Sequence, residues 1–265
     1  MESQMEKIAR IIAGEIKSTP RQAAAAIALL EDGATVPFIA RYRKEATGGL
    51  DDTQLRTLQE KLSYLKELEE RRAAILESVG QQGKLTEELR SAILEAETKQ
   101  RLEDLYLPYK PKRRSRAQKA RDAGLEPLAD RLLANPDLVP EEEAAGFLSE
   151  ACPDAASALD GARDILAERF STDADLVGKL RSFLWKFGEL SSEVVGGEEE
   201  RGAKYADYFH FSEPLSELPS HRILAIFRGR ADGVLSVKVA FPDSLESADP
   251  HPCIAQVAES EGIPL

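Results

Sequence analysis

Seven positive side chains, Lys110, Lys112, Arg113, Arg114, Arg116, Lys119 and Arg121, lie between Tyr106 and Arg121 with no acid among them. The whole chain has 47 acidic against 35 basic residues and a net charge of −12, so this run is a cationic island in an anionic protein. Clustered Arg and Lys beside aromatic side chains, here Tyr106 and Tyr109, can hold single-stranded nucleic acid by phosphate contact and base stacking. The same run also fits a solvated linker between helical blocks, or a segment paired with the protein's own acidic surface. Pro108 and Pro111 remove backbone donors and bias the residues before them toward extended geometry. The spacing thus predicts a stiff connector, with a new helix leaving near Ser115. A net charge of −12 repels phosphate at long range, so any nucleic-acid contact must be local.

No catalytic arrangement accompanies the island. His210, His221 and His251 are far apart, with no Ser, Cys or Asp placed to make a nucleophile. Asp51-Asp52 and Glu103-Asp104 are adjacent acids, which on a helix do not face one another, and capping is their ordinary use. Gly196-Gly197 is followed by three acids and no Lys-Ser/Thr, so it is not a phosphate loop. Cys152 and Cys253 lack the spacing of a zinc site or a disulfide framework. His221, Arg222 and Arg228 would flank an anion if 219–229 is helical, although bonds to neighbouring acids or carbonyls are the favoured account of them. The expectation is a protein that is not an enzyme and has no cofactor and no metal site.

The elements that must position these residues are mostly helical. At 265 residues, 42% hydrophobic and 31% charged, the chain is long enough for one large core or two modest ones. Ile8, Ile11, Ile12 and Ile16 form a helical stripe, and Thr19-Pro20-Arg21-Gln22 starts a second helix with a capping box, ended by Asp32-Gly33. This pair, near residues 5–32, has the outline of a helix-turn-helix. Phe38, Ile39 and Tyr42 mark an apolar face, and Arg41, Arg43 and Lys44 a basic one. Gly48-Gly49 breaks the segment, and Asp51 or Asp52 caps a long helix over about 52–79, ended by Gly80 and Gly83. Short helices follow Thr86 and Thr98. Beyond the island, helices are expected over 120–134, 140–150, from Asp154 through Phe170, and from Asp173 through Phe187, the last two as a packed pair, with Trp185 beside the stripe and expected to pack there rather than to stack a base. After about Glu189 the pattern turns mixed: a strand-like start at 191–195, an aromatic cluster (Tyr205, Tyr208, Phe209, Phe211) expected in a core, and an alternating strand over 234–241. The stretch 219–229 fits either a helix or a hairpin arm. The fold class is mostly α, with a helical region over 1–190 and a small mixed α/β segment over 191–265.

No run approaches the roughly 18 apolar residues of a membrane span, and Met1 to Lys7 shows no secretory signal, so a cytoplasmic protein is expected. Nothing near Gly262 resembles a finishing element, which suggests part of a longer protein.

The succession VPFIARYRKEATGGLDDTQLR (36–56), LKELEERRAAIL (65–76), QGKLTEEL (82–89), LEDLYLPYKPKRRSRAQKARDAGLEPLAD (102–130) and PSHRILAIFRGRADGVL (219–235) closely resembles the Tex family of bacterial transcription accessory proteins. The resemblance covers essentially the whole chain, and its order carries it rather than any one motif. It implies a helical N-terminal region with a helix-turn-helix-like element, similar to the eukaryotic Spt-type elongation factor and histone chaperone. In such proteins an RNase H-like domain, helix-hairpin-helix units and a C-terminal OB-fold RNA-binding domain follow, none of them within these residues. The implied partners are nucleic acid, RNA or DNA and mainly through those later domains, and a protein of the transcription machinery. Phosphate contacts from Lys110 to Arg121 are one expectation for this region, and a protein-interaction scaffold is the other.

Overall fold

Side-chain oxygens start the first helices where the sequence places them. A computed structural model describes residues 3–110 and 115–264. Packing divides the chain between Glu103 and Asp104 into two compact units.

In the first unit, α1 (Gln4–Glu15) and α2 (Pro20–Glu31) begin with capping boxes at Ser3–Glu6 and Thr19–Gln22. Lys17, at φ +54°, turns the chain between them. Its left-handed backbone lets the Ser18 N–H reach the Ala13 carbonyl at 2.9 Å and close α1. Next come α3 (Val36–Tyr42) and a single turn, α4 (Lys44–Thr47). Asp51 caps α5 (Asp52–Gln81), its Oδ1 accepting from the Gln54 N–H at 2.8 Å. Then follow α6 (Glu87–Glu95) and α7 (Lys99–Tyr106), the latter reaching across the division. Ile8, Ile12, Ile27, Ile39, Leu55 and Leu58 form the core that packs the first half of α5 against α1–α3. Gly80 does not end α5. The stop is at Gly83, whose φ of +68° turns the chain away.

The second half of α5 is anchored differently. Leu68, Ile75 and Val79 are buried, and so is Arg72, only 5% exposed. Its Nη2 donates to the Ala96 carbonyl at 2.6 Å and its Nε to the Ile93 carbonyl at 3.1 Å. These carbonyls at the end of α6 have no intrahelical partner, so the guanidinium satisfies them while Glu69 holds its other side.

In the second unit the end of α7 leads into a 3-10 turn over Leu107–Tyr109. Among the described residues it continues with α8 (Arg116–Asp122), α9 (Glu126–Ala134), α10 (Pro140–Ala144), α11 (Ala155–Thr172) and α12 (Ala174–Phe187). Ala117, Ala120, Leu125, Leu128, Ala158, Ala162 and Ile165 share one core. The change of character near residue 189 is the start of β1 (Glu189–Val194), the centre of a three-stranded antiparallel sheet ordered β2-β1-β3. Its neighbours are β2 (His210–Pro214) and β3 (Leu235–Ala240), and Ser192 lies opposite Phe211 on one side and Val237 on the other. The stretch left open between helix and hairpin is α13 (Ser220–Ala231), whose Gly229 sits against Leu235 and Tyr205. Then come α14 (Asp243–Glu246) and α15 (Pro252–Glu261).

The expectation for the aromatic cluster is met, and the one for Trp185 is corrected. Tyr205 is buried with Val234 and Leu235 in a small core, and Tyr208 and Phe209 pack half-buried against it. Trp185 is 60% exposed. It falls outside the line of Phe183, which meets Phe187 at 4.7 Å and Phe241 at 5.4 Å between ring centroids. Among the described residues no helix is long and apolar enough to cross a membrane.

Replacing Arg72 with Ala leaves the end of α6 with unsatisfied buried carbonyls and Glu69 without its cation. A loss of about 3 kcal/mol is expected. It would be read as a lowered urea midpoint for the 265-residue chain, and an unchanged midpoint would show that the carbonyls find other donors.

Candidate nucleic-acid interface

Four of the seven island cations, Lys110, Arg116, Lys119 and Arg121, lie in described parts of the chain; Lys112, Arg113 and Arg114 lie outside the described residues. Tyr106, expected as one of two stacking aromatics, is 8% exposed and belongs to the core. Lys110 places its Nζ 5.9 Å from the Tyr106 ring centroid. Tyr109 is half-buried. The aromatic component of the island is therefore largely structural.

Ser115 starts α8, its Oγ accepting from the Gln118 N–H at 3.0 Å and donating to Glu168 Oε1 at 3.1 Å. The helix turns Ala117 and Ala120 onto α11, and its outer side carries Arg116 and Lys119. The close approach depends on Gly161 of α11. A Cβ there would collide with Leu125 and lie 3.2 Å from Ala120 Cβ. Arg121 points back to the body: its Nη1 donates to Glu168 Oε2 at 2.6 Å and its Nε to Glu126 Oε1 at 3.3 Å. Hydrogen bonding to Glu168 raises its pKa further above the ordinary arginine value. Arg116 reaches Asp164 at 3.3 Å while its side chain remains 85% exposed. So Arg121 serves α8 packing, while Arg116 and Lys119 face outward.

The other candidates for chemistry have structural uses. Asp51 caps α5, and Asp52 is paired with Arg56 at 2.6 Å. Glu103 holds Arg71 at 2.6 Å. Asp104, 5% exposed, takes both Nη atoms of Arg181 at 2.7 and 2.8 Å, a bidentate fork that raises the Arg181 pKa. Arg222 is drawn to Glu213 on β2 and not toward an anion beside His221. His251 caps α15, its Nδ1 accepting from the Cys253 N–H at 3.2 Å, and burial pushes the Cys253 thiol upward. Among the described residues no cluster of three or more His, Cys, Asp or Glu is arranged to hold a metal.

Residue periodicity missed one exposed feature. Of the apolar face marked by Phe38, Ile39 and Tyr42, only Ile39 is buried, while Phe38 is 43% and Tyr42 61% exposed. The signal was present in the interleaving of these rings with Arg41, Arg43 and Lys44, but the period alone does not say which side meets the core.

A helical scaffold with local cationic surfaces on an acidic body is the class these features define. Residues 6–80 match the family model described as Tex-like protein N-terminal domain, and residues 135–264 the one described as Tex central region-like. The chain is 60% identical to Protein tex of Bordetella pertussis over 255 residues, 94% of this chain and 32% of that protein. It is 57% identical to the Transcriptional accessory protein Tex of Neisseria gonorrhoeae over 237 residues, 89% of this chain and 31% of that protein. A more distant relative is the human S1 RNA-binding domain-containing protein 1, 33% identical over 243 residues, 86% of this chain and 24% of that protein. The chain belongs to the Tex family, and it spans about a third of the length of the bacterial relatives it matches.

Arg121→Ala removes a contact of α8 packing. The expected result is a loss of about 1–2 kcal/mol of stability, measured by chemical denaturation, with the salt dependence of any RNA binding unchanged. A change in salt dependence with stability intact would instead assign Arg121 to phosphate.

Proposed function

We propose that this chain is a non-catalytic scaffold region of a transcription accessory factor, and that the basic run around α8 holds nucleic-acid phosphates. The observation that carries this reading is the outward pair Arg116 and Lys119 on a helix whose third cation is committed to packing. They continue a run of seven cations free of acids, on a chain of net charge −12. Membership of a family whose relatives are named for transcription supports it, as does a relative named for an RNA-binding domain. The local cations would hold a strand in place, and sequence reading or the tightest binding would reside in other parts of the longer protein.

A second reading, a scaffold that docks another protein of the transcription machinery, is favoured by apolar side chains left in solvent in the second unit. Trp185, Leu224 and Ile254 are 60%, 59% and 56% exposed.

Fluorescence anisotropy of the 265-residue chain with a single-stranded RNA and a duplex DNA, at several salt concentrations, separates the two. With Arg121 withdrawn, six phosphates neutralised on a single strand give a log–log salt slope of roughly −4. Arg113→Glu/Arg114→Glu should weaken binding and flatten the slope. No binding at low salt would favour the docking scaffold.

A further inference from the structure

We propose that the α3–α4 ridge of the first unit is a separate site for single-stranded nucleic acid, with a base stacked on the Phe38–Tyr42 pair and phosphates held by Arg41, Arg43 and Lys44. The ridge follows from how α3 is seated. Val36 and Ile39 are driven into the core, at 3% and 0% exposure, which turns Phe38, Arg41 and Tyr42 to water. One helical turn apart, the two rings lie 5.4 Å between centroids with planes inclined at 48°, so they present one continuous aromatic surface. Folding does not require them there, since the core closes without them.

The cations around the rings are available. Arg41 stands 6.0 Å from the Tyr42 centroid. Among the described residues neither Arg41 nor Lys44 has an ion-pair partner, and Arg43 approaches Glu45 only at 4.0 Å, both side chains being exposed. Arg41 and Lys44 line a shallow groove of about 410 Å³ with Pro37, Ala40 and Asp52. The acid at its edge, Asp52, is already paired with Arg56 at 2.6 Å. Residues 36–49 thus carry three cations and one acid, on a chain with 47 acids against 35 bases. This local reversal of sign is complementary to phosphate, and rings set between cations match the combination that holds unpaired strands. A duplex would leave the rings unused, because its bases are already stacked.

The ridge is also held in place. Thr47 is fully buried, with its Oγ1 donating to the Arg43 carbonyl at 3.2 Å. Gly48, at φ +63°, offers its carbonyl to Gln22 Nε2 on α2 at 3.0 Å. The strand would meet a preorganised surface.

The site does not depend on the island around α8, and its test is made with that island weakened. In the 265-residue chain carrying Arg113→Glu/Arg114→Glu, binding of a fluorescein-labelled uridine 12-mer RNA is compared with that of an abasic 12-mer of equal charge. Phe38→Ala/Tyr42→Ala should weaken the uridine oligomer about tenfold and leave the abasic one unaffected. Tyr42→Trp should retain binding, and Arg41→Glu/Lys44→Glu should weaken both oligomers. All these side chains are exposed, so thermal unfolding midpoints should stay within a few degrees of the parent and exclude loss of fold as the cause. Equal affinity for uridine and abasic oligomers, indifference to the alanine pair, or displacement of the RNA by a glutamate 12-mer peptide at equal concentration would overturn the proposal. Absence of any binding in this background would also overturn it, while leaving the reading of the α8 island standing.

Discussion

The basic helix α8 depends on a missing side chain. Gly161 lets α11 come near enough for Ala117 and Ala120 to be covered, and any Cβ at that position would press on Leu125. Small residues on both helices leave little apolar area between them, so the ion pair of Arg121 with Glu168 and the bond from Ser115 to the same carboxylate complete the contact. Glu168 is therefore a shared anchor for the first and last parts of α8. With that anchor set, the rotation of the helix is set too, and with it the direction of Arg116 and Lys119. Burial at one position thus determines charge display at another.

The same economy runs through the acidic surface. Cations that sit between helices are matched to carboxylates, as Arg181 is to Asp104 and Arg71 to Glu103. Such pairs fix geometry, and the partly buried ones are sensitive to removal of one member. Exposed pairs such as Arg163–Asp160 at 2.8 Å contribute little stability. On α3–α4, Arg41 and Lys44 remain outside this matching, beside aromatic rings that the core does not take.

Much of the helical framework was legible in the residues because its signals are local. The Thr19–Gln22 box and the Asp51 cap are read within four residues, and the leucine stripe of α5 within a few turns. Gly80 misled because a glycine weakens a helix without ending it, and only Gly83 adopts the left-handed backbone that does. Tertiary facts were less accessible. The run 219–229 has apolar residues that suit a strand or a helix, and its packing of Gly229 on Leu235 decides for α13. Strand β2 was hidden in the aromatic cluster, since its pairing with β1 joins residues about twenty positions apart. Tyr106 and Phe38 exchange their expected environments for a similar reason: aromatic character is visible in a sequence, but which face another element covers is not. Of the candidate site, the concentration of charge was plain, while the withdrawal of Arg121 by Glu168 required a contact 47 residues distant.

The length of α5 has a mechanical meaning. Its 30 residues span about 45 Å at 1.5 Å per residue. One end is gripped by the hydrocarbon side chains of α1–α3, the other by a guanidinium holding the carbonyls of α6. An unbroken ladder of backbone bonds joins these two grips, so they cannot melt independently without fraying the rod between them. The helix is therefore the tie-beam of the first unit, one continuous element joining a hydrocarbon seat at α1–α3 to a polar anchor at the end of α6.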